Sequence, residues 1–121
     1  MLRTIRKDNP ELAHLLVALR KASKAHEAPI WGDAARRLAR GRHQVTPVNV
    51  GHLERLARAQ QTILVPGKLL AEGRLTKPLT VAALHYSAAA RDKIHSAGGT
   101  TLSIEELLKS KPNGQGVRLF G

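Results

Sequence analysis

Apolar residues recur along this chain in two periods, and the switches between them divide it into elements. Leu12, Leu15, Leu16 and Leu19 fall at i, i+3, i+4 and i+7, the single stripe of an amphipathic helix. Asn9-Pro10-Glu11 opens that helix in the expected order: an Asn to cap, a Pro where the N–H has no partner anyway, an acid at the positive end of the dipole. Arg20, Lys21 and Lys24 suit its negative end, as plain solvated charge or as nucleic-acid contacts. Ala28-Pro29-Ile30-Trp31 breaks the pattern and starts a second helix. There Trp31, Ala34, Ala35 and Leu38 share a face, while Arg36, Arg37 and Arg40 gather on the other side before Gly41.

The period then shortens. Val45 to Val50 is β-branched and contains Pro47, which predicts a short or edge strand. Asn49 is placed to cap a small helix over Val50 to Ala59, with Val50, Leu53, Leu56 and Ala57 inward and Arg55 and Arg58 outward. Gln60-Gln61 turns the chain into the stretch around which the rest is organised, Thr62 to Gly99. Ile63-Leu64-Val65 reads as a strand that Pro66-Gly67 ends, and Leu79 to Leu84 as a second, central strand. Between them, Lys68 to Pro78 is predicted to be a basic loop, with Lys68, Arg74 and Lys77 against one acid, Glu72. Ser87 caps a helix from Ala88 to His95, which Gly98 closes.

Thr100-Thr101-Leu102 gives a third short strand. Ser103 and Glu106 then form a capping box, with Leu102 and Leu107 set as its hydrophobic staple. Pro112-Asn113-Gly114 stops this two-turn helix. The tail beyond it carries Arg118 and three apolar residues, Val117, Leu119 and Phe120, suited to docking on the domain. A weak repeat runs through this half: strand, loop, strand, helix, with a Ser opening each of two successive helices.

Charge narrows the function. Twenty Lys and Arg face nine Asp and Glu among 121 residues, a net +11, which is expected of a partner for polyanions. Residues 1–42 hold ten cations and four acids and residues 43–121 hold ten and five, so the charge is not a basic tail on a neutral domain. Arg36, Arg37, Arg40 and Arg42 fall within seven residues, extended by His43. That density exceeds a solvated helix face, and the planar guanidinium fork suits phosphate. Arg3, Arg6 and Lys7 make a basic arm at the start, either frayed or in contact with the polyanion. With one Trp, one Tyr and one Phe the chain has too few rings for a base-stacking sheet; Trp31 serves either the core or a base or sugar.

Catalytic and metal chemistry finds little support. Cysteine is absent, so disulfides and thiolate sites are excluded. Gly67-Lys68 fails as a phosphate loop, because Thr62 and Leu69 stand where Gly and Ser or Thr are needed. Gly114-Gln115-Gly116 lies outside any strand-to-helix turn. The histidines at 14, 26, 43, 52, 85 and 95 have no ligand spacing, and Ser87 and Ser103 are explained as caps. No apolar run approaches the length of a membrane span, and no secretory signal is expected.

Several segments carry a resemblance: Asn9-Pro10-Glu11-Leu12, Ala28-Pro29-Ile30-Trp31, Val48-Asn49-Val50, Val65-Pro66-Gly67-Lys68, Gly73 through Pro78, Thr80-Val81-Ala82, Ser87 through Gly99, and Gly116-Val117-Arg118. In order and spacing the chain resembles the archaeal and eukaryotic large-subunit ribosomal protein family called eighteen-e, related to the bacterial ribosomal protein fifteen. Gly32 and Gln60-Gln61 depart from the family pattern, which often has a cation after the Trp and a Gly-containing turn before the first central strand. The resemblance implies an α/β fold: an irregular superhelix of strand-strand-helix units preceded by N-terminal helices.

The expectation is therefore a single rRNA-binding domain over 1–121, with a basic arm at about 1–8 and a Gly-containing tail at about 113–121. It would be a structural constituent of the large ribosomal subunit in the cytoplasm, neighboured by other ribosomal proteins. No cofactor, membrane or small-molecule substrate is expected. The candidate RNA-binding residues are Arg3, Arg6, Lys7, Lys21, Lys24, Arg36, Arg37, Arg40, Arg42, His43, Lys68, Arg74, Lys77 and Arg118, gripping phosphate while the folded shape of the RNA supplies specificity. Two other readings stand beside it. One is a DNA-binding module using the helix Trp31–Arg40, which is poor in base-reading side chains. The other is a basic adaptor for acidic proteins.

Overall fold

The computed structural model describes residues 10–40 and 47–121. Helices α1 (Pro10–Ala25) and α2 (Pro29–Ala39) come first. They are followed by β1 (Val48–Asn49), α3 (Val50–Leu56), β2 (Thr62–Leu70), β3 (Thr80–Tyr86), α4 (Ala88–Ser96), β4 (Thr100–Leu102), α5 (Ile104–Ser110) and β5 (Val117–Leu119). The N-terminal helices thus precede strand–helix units in an α/β fold. The strands form one parallel sheet in the order β1-β2-β3-β4, with β5 also paired to β2. One edge of β2 is shared between two short strands: β5 lies beside Thr62 to Leu64 and β1 beside Leu69 and Leu70.

Alternation along β2 and β3 sends side chains to two cores, one on each face of the sheet. Ile63, Val65, Val81 and Ala83 join Val50 and Leu53 of α3, Ala90 and Ile94 of α4, and Phe120. Leu64 and Ala82 join Leu15 and Leu19 of α1, Trp31, Ala34, Ala35 and Leu38 of α2, and Ile104 and Leu107 of α5. The sheet is therefore a middle layer between α3 with α4 and α1 with α2 and α5. No polar or charged side chain is buried among the described residues, so the cations lie on the outside of an aliphatic frame.

The caps behave as the local chemistry dictates. Ser87 Oγ accepts from Ala90 N at 3.1 Å, and Ser103 and Glu106 exchange the two bonds of a capping box at 3.0 and 2.7 Å. At the end of α4, Gly98 N donates to His95 O and Gly99 N to Ile94 O, with Gly98 at φ +86°, a left-handed closure open to glycine.

Three sequence expectations need correction. Pro66-Gly67 does not end the first central strand. Between Val65↔Ala83 and Lys68↔His85, β2 advances three residues while β3 advances two, so a bulge falls where Pro66 has no N–H to give the ladder. Lys68 consequently lies in the strand, and the connection to β3 begins only at Ala71. The small helix after Asn49 stops at Leu56 instead of Ala59, and Leu56 faces outward, 53% exposed. The tail does more than dock: its Val117–Leu119 is a strand in the sheet, and Phe120 N adds a bond to Leu64 O at 2.9 Å.

Candidate nucleic-acid interface

The two faces of the sheet carry separate groups of cations. On the α1 and α2 side, Lys21, Lys24, Arg36 and Arg40 are exposed and Arg37 is half-buried. The two helices lie close together at Gly32, where a Cβ would lie 3.1 Å from Ser23 Oγ of α1 and 3.8 Å from Arg36 Nη1 of α2 itself. Arg36 pairs with Asp33 one turn back, an exposed i,i+3 ion pair of the kind that contributes little to stability and is readily exchanged. Arg37 donates to the Gly121 main-chain oxygen, which ties α2 to the end of the tail. The Arg40 main-chain N–H donates to Arg37 O at 3.3 Å, while its side chain has no hydrogen-bond or ion-pair partner among the described residues.

Trp31 belongs to the core. It is fully buried, and its indole N–H donates to Pro112 O at 2.8 Å, bridging α2 to the turn after α5. It is not available to stack on a base. The outer side of α2 offers Asp33, Arg36 and Arg37 and no Asn or Gln, which leaves it without the side chains that read adenine.

On the other face the connection from β2 to β3, residues 71–79, lies over α3 and α4. Glu72 N donates to Asn49 Oδ1 at 3.0 Å and Glu72 O accepts from Gly51 N at 3.0 Å, so the connection is bonded to the first turn of α3. The backbones touch there: a Cβ on Gly73, whose φ is +100°, would sit 2.6 Å from Gly51 Cα. Lys93 reaches across from α4 and donates to Ala71 O at 2.7 Å and Gly73 O at 2.6 Å. The Glu54 carboxylate accepts from Thr76 N at 2.9 Å and Thr76 Oγ1 at 2.7 Å. These bonds, the main-chain one first, hold the Glu54 carboxyl below its ordinary pKa.

Two of the expected contacts are occupied within the protein. Lys77 Nζ donates to Ala57 O at 2.8 Å, and Arg118 Nη1 donates to Leu56 O at 2.6 Å while its guanidinium lies over the Phe120 ring, 4.9 Å from the centroid. Both cations meet carbonyls at the C-terminal end of α3, where the helix leaves acceptors unfilled and its dipole is negative. By contrast the side chains of Lys68 and Arg74 are exposed and have no hydrogen-bond or ion-pair partner among the described residues. Arg3, Arg6, Lys7, Arg42 and His43 lie outside the described residues, as do the arm and the Asn9 cap. Lys93 was missed by sequence reasoning. It sits mid-helix between Asp92 and Ile94 with no local charge cluster, and only its spacing from Ser87, in the second turn of α4, hinted that it faces the connection.

Tyr86 is the other polar residue that the fold puts to use. Where β4 ends, its hydroxyl takes over the open ladder positions of β3, accepting from Ala83 N at 3.1 Å and lying 2.8 Å from Val81 O and 2.6 Å from Leu102 O. One proton serves both carbonyls. Burial pushes the phenol pKa up, opposed by these bonds and by Arg91, whose guanidinium is 5.0 Å from the ring centroid.

Among the described residues, no three His, Asp or Glu side chains converge to hold a metal, and no helix is long and apolar enough to cross a membrane. The molecule belongs to a class defined by its surface: a small basic α/β domain whose cations are mostly left without carboxylate partners. The model of the family described as ribosomal protein 60S L18 and 50S L18e matches residues 3–121, and the chain belongs to that family. The large ribosomal subunit protein eL18 of Archaeoglobus fulgidus is 47% identical over 116 residues, spanning 96% of this chain and 99% of that one. The eL18 proteins of Methanopyrus kandleri and Haloarcula marismortui are 47% and 39% identical, over 93% and 94% of this chain. The family consists of structural ribosomal proteins of the large subunit. The chain is one of these and not an enzyme.

Proposed function

We propose that the protein binds and stabilises folded rRNA in the large subunit, mainly through phosphate contacts made from both faces of its sheet. One observation carries this reading. Twenty Lys and Arg outnumber nine acids, yet among the described residues only Arg36 forms an ion pair with an acidic side chain. So much unpaired like charge destabilises a free-standing domain by self-repulsion, whereas a phosphate backbone neutralises it and releases counterions. Lys21, Lys24, Arg36 and Arg40 on the α1 and α2 side, Arg74 on the connection over α3 and α4, and Lys68 near the end of β2 are the exposed cations best placed for that task. Two opposed basic faces suit a protein lodged between RNA segments better than one resting on a single duplex. Neighbouring ribosomal proteins and assembly in the cytoplasm complete the proposal, and 1–121 acts as one rRNA-binding domain.

Sedimentation of the native protein through a gradient of cell extract tests it. Co-migration with the large subunit, abolished by nuclease, is the expected result. A free light fraction, or co-migration that survives complete RNA digestion, contradicts the proposal.

A further inference from the structure

The connection 71–79 joins two parallel strands without a helix, and distance explains why. Thr80 pairs beside Thr62, so the chain leaving Leu70 must return the whole length of β2, roughly 26 Å at 3.3 Å per residue. The ten or so backbone steps available reach at most about 35 Å when extended, and only about 15 Å as an α-helix. The connection must therefore stay largely extended. It is also fastened at almost every residue: Ala71 and Gly73 by Lys93, Glu72 by Asn49 and Gly51, Thr76 by Glu54, Lys77 to Ala57. Leu75 packs on the core below. In the middle of this fixed run one cation, Arg74, has no side-chain partner among the described residues.

We infer that Lys93 and Glu54 are positioning residues: they hold the connection in the shape that presents Arg74 to rRNA, and neither touches the RNA. The inference rests on the rRNA-binding reading above. Its physical basis is preorganisation. A contact from a loop already fixed spends less ordering entropy than one from a loop that must be fixed on binding. Lys93 has its ammonium committed to two carbonyls, which leaves it little to offer a phosphate. Glu54 carries negative charge, so any effect it has in favour of RNA binding must be indirect.

That sign gives the test. Affinity of the full chain for large-subunit rRNA, purified from cells that make the protein, is measured over a range of salt for wild type, Arg74→Ala, Lys93→Met, Glu54→Gln and the two double variants containing Arg74→Ala. Arg74→Ala is expected to weaken binding several-fold and to reduce the salt slope by roughly 0.7 to 0.9, one phosphate contact. Lys93→Met and Glu54→Gln are each expected to weaken binding while leaving the slope near that of wild type, and to add almost nothing once Arg74 is gone. Amide exchange across 71–77 should accelerate in both. If Lys93→Met lowers the slope as Arg74→Ala does and the two losses add, Lys93 is a direct contact and the inference is overturned. If Glu54→Gln tightens binding, simple charge governs and the inference is likewise overturned. Wild-type binding with no salt dependence would instead remove the rRNA reading itself, while the exchange data would still report whether the two residues hold the connection.

Discussion

Trp31 offers the sharpest perturbation, because its two sequence-level roles predict opposite phenotypes. Replacing it with Phe removes the 2.8 Å bond from the indole N–H to Pro112 O, and a bond of this type contributes about 1 kcal/mol. The smaller ring also empties roughly 40 Å³ beneath α2, worth about 1 kcal/mol at ~24 cal/mol per Å³. The sum, about 2 kcal/mol, is a sizeable part of the roughly 5–15 kcal/mol that holds a domain together. Gly114 limits relaxation from above, since it lies over Ile30 and the Trp31 ring with φ +69°. The assay is urea unfolding followed by far-UV circular dichroism, because Trp31 is the only tryptophan and fluorescence is lost with it. The folded variant should then bind rRNA as wild type does. A variant of unchanged stability that binds RNA tenfold more weakly would refute the core assignment and restore the stacking role.

Other consequences follow from the same contacts. Gly116 and Gly73 both have left-handed φ, +77° and +100°, but a Cβ meets nothing within 4 Å at the first and lies 2.6 Å from backbone at the second. Gly116→Ala should therefore cost about 1 kcal/mol in chemical denaturation and Gly73→Ala at least twice that. Arg118→Met, which strips the cation from the end of α3, should lower stability by about 0.5–1 kcal/mol in the same assay, with an effect that fades in high salt. Titration has two signs. Glu54 has a lowered pKa when folded, so its contribution is complete above the ordinary value of 4.5 and is lost as pH falls through the lower folded value. Tyr86 has a raised pKa, so its contribution is complete below 10.0 and is lost as pH rises through the higher folded value. The Thr76 amide shift by NMR and the tyrosine absorbance report the two steps, and Glu54→Gln should abolish the first.

How much of this was legible in the sequence depends on how far apart the deciding atoms are. The starts of α1, α2, α4 and α5 were readable because a Pro or a Ser acts within its own turn. The continuation of β2 through Pro66-Gly67 was not, since only the partner strand reveals that the missing N–H falls at a bulge. The tail strand pairs with β2 more than fifty residues earlier, and three apolar residues alone do not announce a sheet position. The same distance governed the site. Local charge density marks where cations are abundant, and it could not tell Arg74, which has no side-chain partner among the described residues, from Lys77, bound to Ala57 twenty residues away, or Arg118, bound to Leu56 sixty-two away. A carbonyl left open at a helix end competes with phosphate for the same donor, and only the fold says which wins.

The central claim is that unpaired cations on two faces of a rigid sheet meet rRNA phosphates. The most direct measurement is the affinity of the full chain for large-subunit rRNA as a function of salt, in wild type and in two charge-removed variants, Lys24/Arg36/Arg40→Gln on the two N-terminal helices and Lys68/Arg74→Gln at the end of β2 and on the connection that follows it. The account predicts a steep slope for wild type, reduced by roughly 2 to 3 units in the first variant and 1 to 2 in the second, with each protein remaining folded. A shallow slope, or one that neither variant changes, would contradict it.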